Sequence, residues 1–228
     1  MNNFSIIEER AGVSFQNKDL LKQAFIHRSY LNEHPDAGME HNERLEFLGD
    51  AILELVVTEY LYRTYENPEG ELTSWRAALV NSKMLSRVAG DLEFNNYILL
   101  SKGEAKDEGR ARQFILADAV EAFIGALYLD QGFEPAKGFI DRFVLTYTQE
   151  VLDKKLYRDP KSTFQEQAQE KMGVTPAYEV LEESGPDHDK IFRVGVFLGG
   201  EVVAEGRGSS KQEAQEEAAQ LGLEKKGW

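Results

Sequence analysis

The sequence predicts an all-α N-terminal domain followed by a small α+β domain with the element order α-β-β-β-α. Three observations support this fold class. Apolar residues recur at helical spacing as far as about residue 150, the composition changes at 153–160, and strand-like segments follow. With 228 residues, 42% of them hydrophobic, the chain is long enough for one large and one small domain.

The N-terminal part is predicted to consist of successive helices. Helical spacing of apolar residues covers 20–30, 44–65, 71–89, 112–129 and 135–152. Breaks are expected at 67–70 and 130–132, where Pro, Gly, Asn and Asp cluster, and the charged segment 101–112 is predicted to be a loop. We therefore predict a first domain over 1–152 and a linker over 153–160 that ends in proline.

The second domain is predicted over 161–228. A helix over 161–172 precedes strand-like segments at 177–181, 191–198 and 201–206. Gly199-Gly200 predicts a two-residue hairpin between the last two strands. Ser209 or Ser210 can cap a final helix that runs through Leu223.

The composition excludes several classes of protein and site. The chain has no cysteine, so it forms no disulfide, thiolate zinc site or cysteine nucleophile, and a reducing cytoplasm is the expected compartment. Neither a signal peptide at the N-terminus nor a membrane-spanning apolar stretch is expected. The net charge of −14 argues against nucleic acid and anionic membranes as partners, because nucleic-acid binders usually carry a basic surface.

Two acidic clusters are the most informative motifs. In the first, Glu43, Glu46 and Asp50 are spaced i, i+3, i+7 and fall within about 60° of arc on a helix. The opposite side of this helix is predicted to be the apolar face, formed by Leu45, Leu48, Ile52 and Leu55.

The second cluster lies inside the apolar run 114–129. Asp118 and Glu121 are one helical turn apart there, and the small residues Ala122 and Gly125 on the same face would let another helix approach closely. Carboxylates on helices this apolar are expected to be partly desolvated and to repel one another unless a cation compensates them. An all-oxygen cluster suits Mg²⁺ or Mn²⁺, so the sequence predicts a metal site.

These segments resemble bacterial ribonuclease III over nearly the whole chain. The family signature is present from Asn42 to Asp50 and continues to Leu53, and the preceding helix of the family resembles 25–30. The second acidic segment resembles 116–122 and 125–130, and the C-terminal block is similar to a double-stranded-RNA-binding domain.

The resemblance implies a helical catalytic domain that forms a homodimer, with one cleavage centre in each subunit. It implies Mg²⁺-dependent hydrolysis of both strands of double-stranded RNA, which leaves 5′-phosphate and 3′-hydroxyl ends and a short 3′ overhang. Processing of ribosomal RNA precursors and other structured transcripts is implied as well. No organic cofactor and no membrane partner are expected.

The residues that match the catalytic, metal-binding carboxylates of the family are Glu46, Asp50, Asp118 and Glu121. We expect Glu46, Asp118 and Glu121 to be metal ligands, whereas Asp50 could be a ligand or could orient waters and neighbouring groups. Phe47 lies near the acidic arc rather than on the apolar face, and the resemblance implies that it fills a pocket on the partner subunit. His27 is expected to make a structural hydrogen bond rather than to act as a general base.

A further set matches family positions that handle the substrate. Glu43 could do so, or could favour the positive end of its helix, and Glu69 matches such a position with a second acid, Glu71, two residues further on. In the C-terminal domain the matching positions are Ser162, Gln165 and Glu166 on the first helix, His188 in the loop between strands, and Ser209, Ser210 and Lys211 at the start of the last helix.

The C-terminal domain departs from the family pattern in charge. Gln212 and Gln215 stand at positions that are commonly basic, and 159–228 holds 8 Lys and Arg against 14 Asp and Glu, a net charge of −6. We expect weak RNA binding that is strongly sensitive to salt, because phosphate contacts dominate affinity. The alternatives to a nuclease are a non-catalytic double-stranded-RNA-binding protein and a phosphohydrolase that acts on small nucleotides.

Overall fold

The computed structural model describes residues 4–106, 109–185 and 190–228. The chain forms two compact units, Met1–Tyr157 and Arg158–Trp228, and the division between them falls inside the segment 153–160. None of the helices in these ranges is long and apolar enough to cross a membrane.

The first unit is helical. Its helices are α1 (Ser5–Ala11), α2 (Lys18–Ala24), α3 (Arg28–Glu33), α4 (Glu43–Thr64), α5 (Glu69–Val80), α6 (Ser82–Asp91), α7 (Arg110–Gln131), α8 (Phe133–Phe143) and α9 (Thr148–Asp153). Short 3₁₀ turns occupy Phe94–Asn96, Glu104–Lys106 and Leu145–Tyr147.

The core of this unit surrounds α7, which packs against α2, α4, α6 and α8. Phe123 of α7 is fully buried, and its ring lies 4.9 Å from that of Phe139, 5.3 Å from that of Phe94 and 5.4 Å from that of Phe15. Because α7 is covered on several sides, the acidic residues that it carries are held against protein rather than against open solvent.

Three predicted helices are shorter in the structure than apolar spacing suggested. The segment 20–30 is interrupted at 25–27, where Ile26 pairs with Leu99 in an isolated bridge and the side chain of His27 caps α3. The segment 71–89 is divided at Asn81, whose side chain caps α6, and 135–152 is divided by a 3₁₀ turn. Polar N-cap side chains break the chain at two of these points although the apolar spacing continues.

The predicted loops and the predicted apolar face need smaller corrections. Glu69 and Gly70 begin α5 rather than completing a break, and α7 begins at Arg110, inside the predicted loop 101–112. On α4, Leu45 and Ile52 are buried as expected, but Leu55 is exposed because the buried face of the helix also includes Gly49, Leu53 and Val56 and does not extend to Leu55.

The second unit confirms the predicted α-β-β-β-α order. It consists of α10 (Pro160–Met172), β1 (Ala177–Ser184), β2 (Ile191–Leu198), β3 (Glu201–Gly208) and α11 (Lys211–Lys226). The strands form an antiparallel sheet in the order β1-β2-β3, and the turn at Gly199-Gly200 has positive φ at both residues, as glycine allows. The helices pack on one face of the sheet, with Phe164, Val196 and Ala218 in a core of their own.

Candidate active site

Three carboxylates converge where α4 crosses α7. Glu46 of α4 and Asp118 and Glu121 of α7 each offer an oxygen, and these three oxygens lie within 4.8 Å of one another. All three side chains are half-buried. The arrangement brings together acids that are more than 70 positions apart in the chain.

Two glycines make this close crossing possible. A Cβ atom on Gly49 would lie 1.8 Å from the carbonyl oxygen of Glu121, and one on Gly125 would lie 2.2 Å from the carbonyl oxygen of Leu45. Real Cβ atoms essentially never approach so closely, so any side chain at either position would push the helices apart. Gly49 follows Glu46 by three residues and Gly125 follows Glu121 by four, so the glycines lie beside the acids they bring together.

Burial and the charges of neighbouring acids raise the pKa of each of the three carboxyl groups. Burial, followed by the charges of Asp118, Glu43 and Asp50, raises the pKa of Glu46 to about 7. Burial, followed by the charges of Asp50, Glu46 and the other nearby acids, raises the pKa of Glu121 to about 8, and the pKa of Asp118 is raised mainly by burial. Without a cation the site would therefore hold protons near neutral pH.

Two other predicted acids lie near the cluster without belonging to the converged set. Asp50 is exposed, yet its charge raises the pKa of both Glu46 and Glu121. Glu43 faces one cation and one histidine: one oxygen lies 3.5 Å from Nη1 of Arg28 and the other lies 3.8 Å from Nδ1 of His41.

Phe47 and Glu69 lie on the surface of the first unit. The side chain of Phe47 is 81% exposed, and it shares an exposed stripe of α4 with Ala51, Leu55 and Tyr62. Glu69 lines a pocket of about 640 Å³ together with Thr58, Leu61, Tyr62, Tyr65, Glu66, Asn67, Leu72, Thr73 and Arg76.

His27 has the structural role expected of it. Its Nδ1 lies 2.8 Å from Oγ of Ser29 and accepts a hydrogen bond from the Ser29 amide. The same Oγ accepts a hydrogen bond from the amide of Ser101, so the two residues anchor the loop that precedes α7. Burial lowers the pKa of His27, which favours the neutral ring.

In the second unit the predicted contacts fall on two exposed surfaces. Ser162, Gln165 and Glu166 are exposed on α10, and Ser162 is held by the capping carboxylate of Asp159. Ser209, Ser210 and Lys211 gather at the start of α11, where Ser210 caps the helix by accepting the amide of Glu213. His188 lies outside the residues that the structure describes.

Comparison with known proteins identifies the family. A family model described as ribonuclease-III-like matches residues 17–148, which is more than half of the chain. The chain belongs to the ribonuclease III family. A second model, described as a double-stranded RNA binding motif, matches residues 160–226. Both the suspected resemblance and the fold class are thereby confirmed.

Curated ribonuclease III relatives match this chain nearly from end to end. The protein named Ribonuclease 3 of Borreliella burgdorferi is 43% identical over 216 residues, which are 94% of this chain and 88% of that protein. The Ribonuclease 3 of Enterococcus faecalis is 44% identical over 224 residues, 95% of this chain and 94% of that protein.

Solved structures match the first unit. The nuclease domain of ribonuclease III from Campylobacter jejuni is 41% identical, with a TM-score of 0.58, and the match covers 63% of this chain and 97% of that domain. The report of that structure concerns structural flexibility in a region involved in dimer formation of the Campylobacter domain.

Sequence reasoning missed some of the residues that build this ribonuclease III site. It identified Ala122 and Gly125 as small residues but did not identify Gly49, although a glycine three residues after Glu46 was a usable signal. It also passed over Arg28 and His41, because nothing local in the sequence shows that they face Glu43.

Proposed function

We propose that this chain is a divalent-metal-dependent endoribonuclease that hydrolyses both strands of double-stranded RNA to give 5′-phosphate and 3′-hydroxyl ends. The observation that carries the proposal is the convergence of Glu46, Asp118 and Glu121 within 4.8 Å, in a chain that also has a double-stranded RNA binding motif. The same reasoning leaves the non-catalytic RNA-binding alternative without support, since a protein that only binds RNA has no need of half-buried carboxylates held close together.

The residues present fit a divalent metal ion. The donors are all carboxylate oxygens, which hard cations such as Mg²⁺ and Mn²⁺ prefer, and burial together with neighbouring acids raises the pKa values of Glu46 and Glu121, so a cation would favour their charged forms. We propose Glu46, Asp118 and Glu121 as the ligands and Mg²⁺ as the ion, with Mn²⁺ as a substitute. A bound ion would polarise the scissile phosphate and lower the pKa of a bound water.

The surrounding residues would orient the reacting groups. Asp50 is exposed beside the cluster and can accept hydrogen bonds from waters at the site, so we keep it among the catalytic residues. Glu43, held by Arg28 and His41, would keep its carboxylate at the edge of the site, where substrate enters. Arg28 also offsets the charge that Glu43 adds to the cluster.

We also propose that the active form is a homodimer joined through α4. Phe47, Leu55 and Tyr62 expose large apolar side chains on one stripe, which monomeric proteins rarely do. If two copies pack these helices antiparallel about a twofold axis, Phe47 of one copy meets the Tyr62 end of the other, where the 640 Å³ pocket lies. The pocket also contains Glu69, which would bring that acid towards the second copy.

For RNA binding we propose two surfaces of the second domain, 161–228, and we propose 1–152 as the catalytic and dimerisation domain. The exposed polar residues Ser162, Gln165 and Glu166 on α10 would contact the minor groove, and Ser209, Ser210 and Lys211 would contact phosphate. His188 is proposed for a second minor groove on the resemblance alone.

Substrates would include ribosomal RNA precursors, and the absence of cysteine is compatible with work in the cytoplasm.

The decisive experiment compares cleavage of long duplex RNA, single-stranded RNA and a nucleotide in Mg²⁺ and in EDTA. We expect cleavage only of the duplex and only in Mg²⁺. Glu121→Gln should lower the rate by at least about 100-fold while RNA binding is retained, because it removes a metal ligand. The matched control, Glu134→Gln, removes an exposed acid from α8 and should cleave as the parent does. Cleavage of duplex RNA in EDTA, or an active Glu121→Gln variant, would contradict the proposal.

A further inference from the structure

Lys211 is held by an acid of its own domain. Nζ of Lys211 lies 3.0 Å from Oε1 of Glu183, near the end of β1, and 5.5 Å from the ring centre of Phe192. The second oxygen of Glu183 lies 3.9 Å from Nζ of Lys190. One carboxylate therefore faces two of the few cations in a unit whose net charge is negative.

The amide end of α11 is occupied in a similar way. The backbone N–H and the Oγ–H of Ser209 both donate to Oε2 of Glu213, at 2.8 and 2.7 Å. Ser210 accepts the amide of Glu213 at 3.2 Å. The three residues proposed to contact RNA phosphate at this helix start, Ser209, Ser210 and Lys211, thus each make a contact within the domain.

We infer that Glu183 lowers the RNA affinity of this protein, because its carboxylate competes with an RNA phosphate for Lys211. The inference rests on the proposed role of Lys211 as a phosphate contact. An ammonium has three donors and could touch both anions, but a carboxylate and a phosphate bound to the same nitrogen would lie close together and repel. RNA must therefore either displace Glu183 or bear that repulsion.

The size of the effect follows from the exposure of the pair. The side chains of Lys211 and Glu183 are 57% and 40% exposed, so the ion pair is a surface pair. Such pairs are worth up to about 1 kcal/mol, which corresponds to about a fivefold change in a dissociation constant. Removal of the competitor should therefore tighten RNA binding severalfold rather than by orders of magnitude.

The adjacent residue supplies a matched control. Glu182 lies on the same strand, but successive side chains of a strand point to opposite faces of the sheet. Its carboxylate accepts a hydrogen bond from Nε of Arg193 at 3.1 Å. Glu182→Gln and Glu183→Gln remove the same charge from neighbouring positions, so they separate a specific contact from a general charge effect.

The test measures binding of the full-length protein to an RNA duplex of about 32 base pairs, twice the length that one such domain covers. EDTA is present, so that no cleavage occurs. We expect Glu183→Gln to lower the dissociation constant about threefold to fivefold, Glu182→Gln to leave it unchanged and Lys211→Gln to raise it. In the double variant Glu183→Gln/Lys211→Gln most of the gain should disappear.

The outcomes distinguish this inference from the proposed function. If Lys211→Gln weakens binding but Glu183→Gln binds as the parent does, or if Glu182→Gln gains as much, the competition is wrong and the RNA-binding role stands. If the parent protein does not bind duplex RNA, or Lys211→Gln has no effect, the proposed RNA contact fails and the inference fails with it. Thermal unfolding of each variant checks that the domain remains folded.

Discussion

At the scale of single residues, the chemistry of the site depends on two glutamates that hold protons near neutral pH. Glu121 and Glu46 have pKa values raised to about 8 and about 7, because burial and neighbouring acids disfavour their charged forms. A metal ion at the proposed site would bind to the charged forms, so its binding would release protons. The proposed metal ligands therefore predict that metal affinity depends on pH.

The first prediction concerns the metal requirement of cleavage. As the pH falls from about 8.5 to about 6, the Mg²⁺ concentration that gives half-maximal cleavage should rise, because protons then compete with the ion for Glu121 and Glu46. The measurement is a Mg²⁺ titration of initial cleavage rates at several pH values. A half-maximal concentration that does not change with pH would contradict this linkage.

The second prediction concerns stability without metal. A carboxyl group whose pKa is higher in the folded than in the unfolded chain makes the folded protein less stable as the pH rises from about 4.5 to about 8. Glu121→Gln removes one such group. In EDTA the variant should therefore gain in Tm relative to the parent at about pH 8.5 and gain little at about pH 5.5.

Calorimetry of both proteins in EDTA provides the measurement. Each kcal/mol gained in the free energy of unfolding would correspond to an increase in Tm of about 2–4 °C for a domain of this size. Added Mg²⁺ should raise the Tm of the parent more than that of Glu121→Gln. If the Tm difference between Glu121→Gln and the parent is the same at the two pH values, the pKa of Glu121 is not raised in the folded protein.

At the scale of secondary-structure elements, the site depends on how closely α4 and α7 approach. Their backbones meet at Gly49 and Gly125, where the added Cβ atoms would fall within 1.8–2.2 Å of carbonyl oxygens. Backbone atoms cannot move aside as the end of a flexible side chain can. The spacing between Glu46 and Glu121 is therefore fixed by residues that have no chemistry of their own.

The third prediction tests this crossing. Gly125→Ala should destabilise the first unit by about 1–3 kcal/mol, as overpacked cores do, and should raise the Mg²⁺ concentration needed for cleavage because the carboxylates move apart. Gly138→Ala is the control. A Cβ there meets nothing within 4 Å, so in a helix it should be neutral or stabilising by up to about 1 kcal/mol. Urea unfolding and Mg²⁺ titration provide the measurements, and equal stability of the two variants would refute the role of Gly125.

At the scale of the whole molecule, assembly and charge determine how the protein meets RNA. A second copy would cover the exposed stripe of α4, and the net charge of −14 opposes the approach of a polyanion. A dimer would present two RNA-binding domains to one duplex, which raises affinity without new contacts. The net negative charge therefore lowers the affinity for RNA, whereas dimerisation raises it.

The fourth prediction concerns the dimer. Phe47→Ala should weaken self-association by about 30-fold or more, since a large aromatic side chain at the centre of an interface is commonly worth at least 2 kcal/mol. Leu221→Ala, which truncates an exposed apolar side chain on α11, should have no effect. Sedimentation equilibrium measures both. A monomeric parent, or an unchanged Phe47→Ala dimer, would contradict the proposed interface.

The fifth prediction concerns salt. Because residues 159–228 have a net charge of −6 and few cations, RNA binding should be weak and should fall by about 10- to 100-fold between 50 and 200 mM salt, as expected for a few phosphate contacts. Filter binding of the full chain in EDTA over this range is the measurement. Tight binding that persists at high salt would contradict the expectation.

The sequence by itself determined the fold class and the family, and it predicted the acids of the site. The spacing of Glu43, Glu46 and Asp50 along one helix is a local property, as are the strand alternation and the Gly199-Gly200 turn, so each could be predicted from neighbouring residues. Helix boundaries were harder to predict from the sequence. At His27 and Asn81 a capping side chain ends the helical pattern although apolar spacing continues.

Only the tertiary structure decided which side chains meet. It brings Glu46 to Asp118 and Glu121 while Asp50 stays outside the set, it assigns Gly49 to the crossing, and it pairs Glu183 with Lys211. These contacts join residues far apart in the chain, and their distances depend on how whole elements pack. Periodicity describes the face of one helix or strand and contains no information on how closely another element approaches it.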